Sequence, residues 1–453
     1  MIALDPIAAV ARLGDRRGRV LCHAAGGRLD GRLSVVAADP TATLTVWPDR
    51  IEHRDGAGQR VSHGDPIAAI DGFLVEHGCA LMGAPARVTR PRVLGYLGYD
   101  LGRAIERLGP RRPGPTLPDA WLAAYPAVVC WPADQRGASG ELYADDAAAA
   151  ATLARLLARE PAPTAPPPQL GDAWPLDPDE HGAAVDAIGR YIDAGDVYQV
   201  NVARRLRWPI ARDGDALALY AALHAVAPAA YGALVEADGV RIVSGSPECF
   251  LRRVGARLVT APIKGTRRRT GDAALDRARA VDLAAHPKDA AEHLMIVDLE
   301  RNDLGRIAAI GSVAVDELGT VVALPGLFHK VSTVSARPRP DATWADVLRA
   351  TFPGGSITGA PKIRAMQLID ELEPVARGPY CGALGWWGDG GAVDLAIAIR
   401  IGVLVDGALH VHVGGGIVAD SDRAAELAET DDKAAGWRAA IAAVTAATSR
   451  ARR

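Results

Sequence analysis

Apolar and polar positions alternate in short runs along much of the chain, and several of the runs come in pairs. Tyr231-Gly-Ala-Leu-Val-Glu236 and Val240-Arg-Ile-Val243 flank Asp238-Gly239, a dipeptide that accepts the positive φ angles of a two-residue hairpin turn. Cys249-Phe-Leu-Arg252 and Ala256-Arg-Leu-Val-Thr260 flank Gly255, and a third pair, 394–405 with 408–413, turns at Asp406-Gly407. Leu33-Ser-Val-Val-Ala37 and Thr41-Ala-Thr-Leu-Thr-Val46 read as earlier strands. The period lengthens to that of a helix over 145–159, 179–194, 287–304, 362–371 and 421–447. Hairpins mixed with helices, without regular βαβ alternation, predict an α+β fold with antiparallel sheets.

Glu160-Pro-Ala-Pro-Thr-Ala-Pro-Pro-Pro168 interrupts both patterns. Proline at that density sustains neither a helix nor an inner strand, so an extended connector is expected. It divides the chain into an N-terminal region (1–159), the connector (160–178) and a region that carries nearly all the dense motifs (179–447). The 453 residues are 49% hydrophobic, enough to bury a large core. A formal charge of −3, with arginines interleaved among acids, leaves no footprint for nucleic acid. Five scattered cysteines, a start without a basic leader and no long apolar run fit a soluble cytoplasmic protein with reduced thiols.

Charge usage changes the picture most. Of 51 Lys plus Arg only five are lysines: Lys264, Lys288, Lys330, Lys362 and Lys433. Arginine stays protonated, whereas a desolvated ammonium can lose its proton and attack a carbon, so a lysine in such a chain points to a task arginine cannot do. Lys264 stands in Thr260-Ala-Pro-Ile-Lys-Gly-Thr266, at the end of a strand, where a rigid sheet can aim it.

Acids and glycines add to it. Asp289 and Glu292 share a face of one helix by i, i+3 spacing, and Glu426 and Glu429 repeat that spacing on the last helix. Taken alone these are ordinary solvent-facing acids; facing each other across a site they suit Mg²⁺, a hard ion that keeps several waters and needs few carboxylates. Gly414-Gly-Gly-Ile-Val-Ala-Asp-Ser421 reads as a strand-to-helix turn whose amides could cradle an anion. Phe352-Pro-Gly-Gly-Ser-Ile-Thr-Gly-Ala-Pro-Lys362 is a second glycine-rich loop, lacking the Gly-Lys-Ser/Thr ending of a nucleotide loop. Arg400 ends the run Asp394-Leu-Ala-Ile-Ala-Ile399, where it can meet a carboxylate.

Together these segments resemble the chorismate-utilising enzymes. The resemblance runs from about residue 179 to 437, in Gly195-Asp-Val-Tyr-Gln-Val-Asn201, Gly245-Ser-Pro-Glu-Cys-Phe250, Ala291-Glu-His-Leu-Met-Ile-Val-Asp-Leu-Glu-Arg-Asn-Asp303, the 352–362 loop, Arg377-Gly-Pro-Tyr-Cys-Gly-Ala383, and 414–421 with Glu426-Leu-Ala-Glu-Thr430. A weaker likeness lies in Gly95-Tyr-Leu-Gly-Tyr-Asp-Leu-Gly102 and Val35-Val-Ala-Ala-Asp-Pro40. The fold implied is one large α+β unit, two antiparallel sheets packed face to face with helices outside. Within the family, Lys264 resembles the aminodeoxychorismate-forming branch, since anthranilate and isochorismate synthases are similar to one another in placing alanine there. Gln199 points the same way, because isochorismate and salicylate synthases place a water-activating lysine at that position.

The resemblance implies component I of aminodeoxychorismate synthase, on the route to 4-aminobenzoate and folate. It makes Glu248 the general acid for the departing C4 hydroxyl and Lys264 the nucleophile that forms a covalent adduct before ammonia enters at C4. It places Mg²⁺ at Glu292 and Glu426, with Asp289 and Glu429 beside them, and the enolpyruvyl carboxylate at Tyr380, Arg400 and the amides of Gly414, Gly415 and Gly416. His329 and Thr358 match further site positions. No cysteine lies in a Gly-x-Cys-x-Gly turn, so ammonia is expected from a separate glutaminase (amidotransferase) subunit, and no fused lyase domain is expected. Tryptophan-binding relatives carry Leu-Leu-Glu/His-Ser, whereas Leu21-Cys-His-Ala24 here lacks the serine hydroxyl. The alternatives are an anthranilate synthase large subunit and a non-catalytic relative that docks a glutaminase.

Overall fold

The computed structural model describes residues 1–25, 31–81, 89–133, 137, 139–160, 166–174, 178–324 and 326–451. Its strands form two antiparallel sheets, one of 11 and one of 12 strands. In the first the order is Gln169–Leu170, Gln199–Arg212, Ala408–Ile417, Ile401–Val405, Val240–Ser246, Tyr231–Ala237, Val20–His23, Leu33–Ala37, Ala127–Pro132 and Glu141–Ala144, with Gly359–Ala360 added to Gln199–Arg212. The second runs from Ile263–Arg268 through Leu327–Ala336, Arg257–Ala261, Cys249–Val254, Ala392–Ile397, Ala383–Gly388, Pro91–Leu97, Ala120–Ala124 and Ala42–Val46 to the edge hairpin Ile51–Asp55 and Gly58–Ser62, with Ala314–Leu324 added to Leu327–Ala336. Both sheets take strands from each side of the proline-rich stretch. Within that stretch Gln169–Leu170 is an edge strand and Trp174 lies over the Arg207 guanidinium at 3.6 Å; residues 161–165 and 175–177 of the expected connector fall outside the described residues.

Apolar side chains fill both faces of the first sheet. Val20, Val35, Val235 and Ile242 join Leu94, Leu122, Leu251 and Leu395 in one core, while Leu21, Val36, Leu234 and Val243 pack with Leu217, Leu223 and Trp437 in another. Neighbouring residues of one strand point to opposite faces, so a strand that feeds both cores has no polar face. The second core is roofed by helices Ala216–Val226 and Arg423–Ala451. All five cysteines are free and buried. Among the described residues no helix is long and apolar enough to cross a membrane.

The hairpins at Asp238-Gly239 and Gly255 form as expected, with Ala237 opposite Val240 and Val254 opposite Arg257. The third hairpin needs correction. Asp406 and Gly407 do turn with φ of 48° and 69°, but the expected strand 394–405 is two strands in two sheets. Ala392–Ile397 pairs in the second sheet, the chain crosses the gap, and Ile401–Val405 pairs in the first. The break falls at Arg400, whose φ of 51° is foreign to an extended ladder. A matching crossing joins Val240–Ser246 in the first sheet to Cys249–Val254 in the second, through Pro247 and Glu248.

Candidate active site

The two crossings run side by side and hold each other. Ile397 N–H donates to Glu248 O at 3.0 Å, Gly245 N–H donates to Arg400 O at 3.0 Å, and Ser246 Oγ donates to Ile397 O at 2.6 Å. Glu248 and Arg400 thus sit where neither sheet claims their side chains. Glu248 is buried, and burial raises its carboxyl above the usual range; Ser356, the Ile263 N–H, Lys264 and Arg400 pull it partly back. That environment favours a neutral, proton-donating acid. Burial lowers the Arg400 guanidinium, against the pull of Glu248, and that guanidinium makes no hydrogen bond or ion pair with a described residue.

Lys264 lies in strand Ile263–Arg268, on a bulge. Ile263 faces Val331 and Thr266 faces His329, so Lys264 and Gly265 together oppose Lys330, with Gly265 at φ 87°. Burial pulls the Lys264 ammonium below the ordinary lysine range; Glu292 pushes back, Lys433 adds to the lowering, and Glu248 and Glu429 oppose it. The other lysines with described side chains are engaged: Lys330 with Ala284 O, Lys362 with Asp303 and Lys433 with Glu429 and Gly414 O. Among those described, Lys264 alone keeps its amine without a hydrogen bond or ion pair.

Gly414–Gly416 are not a turn. They lie inside strand Ala408–Ile417, paired with Ala203, Val202 and Asn201, and the helix that follows is already capped by Asp422, which accepts from Ala424 and Ala425 N–H. The stretch is therefore strand and not the turn into a helix that its glycines suggest. Three glycines serve another purpose: they leave room on both faces of the strand. A Cβ on Gly416 would stand 2.9 Å from Gln199 Nε2 and 3.0 Å from Lys264 Nζ. On Gly415, which points the opposite way, it would stand 3.0 Å from Glu426 Oε2 and 3.6 Å from Glu429 Oε1. Gln199 is wholly buried, and neither amide atom has a partner among the described residues. Buried amide atoms are ordinarily satisfied, so this pair is open to a polar ligand.

The remaining candidates separate. Glu426 is buried and accepts from Ser421 Oγ at 2.6 Å, while Glu429 is half-exposed and paired with Lys433 at 2.7 Å. Glu292 is half-buried and acts on Lys264, whereas Asp289 accepts from Arg267 at 2.8 Å and packs under Gly265. Among the described residues these four acids do not bring three carboxylates within 4.8 Å of one another. An ion held at Glu292 and Glu426 would have to keep its waters and borrow a substrate oxygen, since these acids form no protein cage among the described residues. His329 is buried, its Nδ1 2.9 Å from Thr266 Oγ1, and burial takes its pKa to about 4. Thr358 donates its hydroxyl to Gly354 O at 3.0 Å, which fastens the 352–362 loop. Tyr380 is buried against His412, ring centroids 5.2 Å apart, two residues along the strand from Gly414.

Three participants escaped the sequence reading. Ser356 lies against Glu248, Asn201 leaves a buried Oδ1 unpartnered opposite Gly416, and Lys433 links Glu429 to Gly414. Ser356 and Asn201 stood inside quoted segments, and Lys433 among the five lysines; spacing gave no reason to single them out. Near Leu21-Cys-His-Ala24 the cavity beside Tyr231 measures only about 20 Å³ and Arg32 lies 3.6 Å over the tyrosine ring, leaving space for little more than a water. A larger cavity of about 230 Å³, lined by His181, Arg204 and Arg205, contains none of the candidate site groups, so chemistry and not hollow size locates the site.

Residues 29–438 match the model of the chorismate binding enzyme family. The chain is 39% identical over 405 residues to aminodeoxychorismate synthase component 1 of Klebsiella aerogenes, covering 89% of this chain and 88% of that one. It is 40% identical over 407 residues to anthranilate synthase component 1 of Streptomyces coelicolor, covering 85% and 79%. Anthranilate synthase component I from Streptococcus pneumoniae superposes with a TM-score of 0.77 at 29% identity over 97% of this chain and 99% of that one. The menaquinone-specific isochorismate synthase of Escherichia coli shares the fold, with a TM-score of 0.73 at 18% identity over 97% and 92%. The chain belongs to the chorismate-binding enzymes.

Proposed function

We propose that this chorismate-binding enzyme is component I of an aminodeoxychorismate synthase, converting chorismate and ammonia to 4-amino-4-deoxychorismate. One observation carries the reading: a half-buried lysine amine, without a partner among the described residues and lowered in pKa, faces the same spot as the orphaned amide of Gln199. Relatives named for either product match at nearly equal identity, so similarity does not choose between them; the amine at Lys264 supports the aminodeoxychorismate reading.

In the proposed reaction Lys264 Nζ, as the free amine, bonds to C2 of the ring. The C4–O bond breaks as the ring double bonds shift, and Glu248 supplies the proton with which the hydroxyl leaves as water. Ammonia then bonds to C4, the C2–N bond breaks, and the amine returns to Lys264. Splitting one displacement into two directs nitrogen to C4. Burial serves both residues at once, because it disfavours charge on each and so moves the acid toward its protonated form and the amine toward its free form. Arg400 holds a substrate carboxylate, and Glu292 and Glu426 would hold Mg²⁺, which supplies positive charge for a second carboxylate. Ammonia comes from a glutaminase subunit, and the product leads to 4-aminobenzoate and folate in the cytoplasm.

The test is chorismate with ammonium and Mg²⁺, product identified by mass and chromatography. We expect 4-amino-4-deoxychorismate without pyruvate release, and loss of C4 amination in Lys264→Ala. Anthranilate as the main product would make the chain an anthranilate synthase large subunit. No chorismate consumption at all would leave a docking relative.

A further inference from the structure

Far from Lys264, the edge hairpin of the second sheet meets the end of a helix. Strand Ile51–Asp55 lies nine strands along from Ile263–Arg268, roughly 40 Å at ordinary strand spacing. His53 projects from it toward helix Pro66–Glu76, whose last residue is Glu76 and whose C-cap is His77. One ring nitrogen from each histidine and a carboxylate oxygen of Glu76 lie within 4.8 Å of one another, the one such group of three among the described residues. Nε2 of His53 and Nε2 of His77 are both buried and without a hydrogen-bond partner among the described residues. Phe73 packs edge-on to both imidazoles, with centroids 5.7 Å and 4.5 Å away, and fixes how they face each other.

We propose that His53, Glu76 and His77 form a binding site for a borderline divalent transition metal of the Zn²⁺ class. Two imidazoles and one carboxylate match the preference of that ion, with a water left as fourth ligand. Orphaned, buried ring nitrogens are costly unless something takes their lone pairs, and a cation takes both. The position helps, because the last carbonyls of a helix carry partial negative charge and His77 sits there. Asp55 supplies the orienting group: its carboxylate lies 3.4 Å from His53 Nδ1, so a proton on Nδ1 can be shared with it while Nε2 binds the ion. Arg60 Nη2 approaches the same Nδ1 at 2.6 Å and can only donate to it, which puts the neutral ring's proton on Nε2, so binding requires this exposed arginine to turn away and the proton to move to Nδ1. Arg92 opposes a cation near His77, and Asp145 and Glu76 favour it. A metal here would tie the edge hairpin to the helix without touching the chemistry.

The experiment uses the full chain, freed of metal with a chelator and kept in excess Mg²⁺ so that acids elsewhere are occupied. Zn²⁺ is titrated by calorimetry and its effect on thermal unfolding followed. We expect one equivalent bound and a rise in Tm, both lost in His77→Ala and in Glu76→Gln. The latter changes an exposed side chain and leaves the fold intact. Asp55→Asn should keep the stoichiometry and weaken binding about 10- to 100-fold. Chorismate consumption should be the same in all these variants. Equal Zn²⁺ isotherms for the parent, Glu76→Gln and His77→Ala would overturn the site, as would binding that does not respond to Asp55→Asn.

Discussion

Gly416→Ala and Gly415→Ala add the same methyl group to adjacent residues of one strand, yet they should damage different steps. On Gly416 the new Cβ would stand 2.9 Å from Gln199 Nε2 and 3.0 Å from Lys264 Nζ. Ordinary contact begins near 3.5 Å, so both tips must move by about 0.5 Å or more. They can, because they are ends of side chains, and the strand itself keeps its pairing to Asn201. We therefore expect little change in Tm. Catalysis is less forgiving: displacing a nucleophile by that much from its line of attack lowers turnover about 10- to 100-fold, or about 1.4 to 2.7 kcal/mol in the barrier. On Gly415 the methyl group meets Glu426 Oε2 at 3.0 Å and Glu429 Oε1 at 3.6 Å, so the Mg²⁺ requirement should rise while the lysine chemistry at saturating Mg²⁺ stays near normal.

The assay is initial rate of C4 amination against Mg²⁺ concentration for both variants, with intact-mass detection of substrate bound to Lys264. Gly416→Ala should lower the plateau and the adduct; Gly415→Ala should shift the midpoint. If Gly416→Ala keeps the full plateau, or if both variants shift the same parameter, the two-faced strand does not separate amine from metal and the site geometry is wrong.

Three further outcomes follow from the same structure. Glu292→Gln and Glu426→Gln should each cripple turnover even at high Mg²⁺ while leaving the unfolding transition in place, and normal rates in either would make that residue a surface acid. Arg377→Ala should destabilise the fold by about 3 to 5 kcal/mol in denaturant unfolding, since the buried Arg377 pairs with Glu373 at 2.7 Å and also holds Asn201 O at 2.7 Å and Ile357 O at 3.1 Å. Stability should fall as pH drops from 6.5 toward 4: burial takes the pKa of His181, His293, His329 and His410 to about 4, so the unfolded chain binds more protons across that window. Each contributes at most about 3 kcal/mol, fully present above 6.5, and a flat unfolding free energy between pH 6.5 and 4 would contradict it.

Much of the fold was legible because turn chemistry is local. Asp238-Gly239 and Asp406-Gly407 announce their hairpins within two residues, and the helices from 178, 287, 362 and 423 start within two residues of their predicted positions. Lys264 was legible by rarity, since four other lysines in a chain full of arginine left few places to look. What failed was non-local. The run from Asp394 to Val405 looks like one strand because both halves are buried on both faces, and nothing in its pattern marks a change of sheet. Gly414–Gly416 looked like a turn because glycine is rare in strands, but the demand for glycine comes from Lys264 and Gln199 on one face and Glu426 on the other. Asp289 shares a helix face with Glu292 by spacing, but its partner Arg267, on a strand 22 residues earlier, is one that spacing does not show.

The crossings explain why this architecture makes a good place for an acid and a cation to act on one molecule. Inside a ladder a side chain points into a core or toward a helix, and its backbone is committed to two neighbours. Glu248 and Arg400 lie between ladders, so their side chains are free of that alternation, but their carbonyls are held by Ile397 and Gly245 N–H across the two crossings. Arg400 accepts a left-handed φ of 51°, which costs a non-glycine residue about 1 to 2 kcal/mol. That strain persists because strands on both sides are fixed in separate sheets. The result is an acid and a guanidinium set by the same pair of crossings yet not spent on each other: no ion pair joins Glu248 to Arg400, and burial disfavours charge on both side chains. Lys264 arrives from the second sheet on a bulge and Gln199 and Gly416 from the first, so the reacting space is bounded by both sheets and belongs to neither.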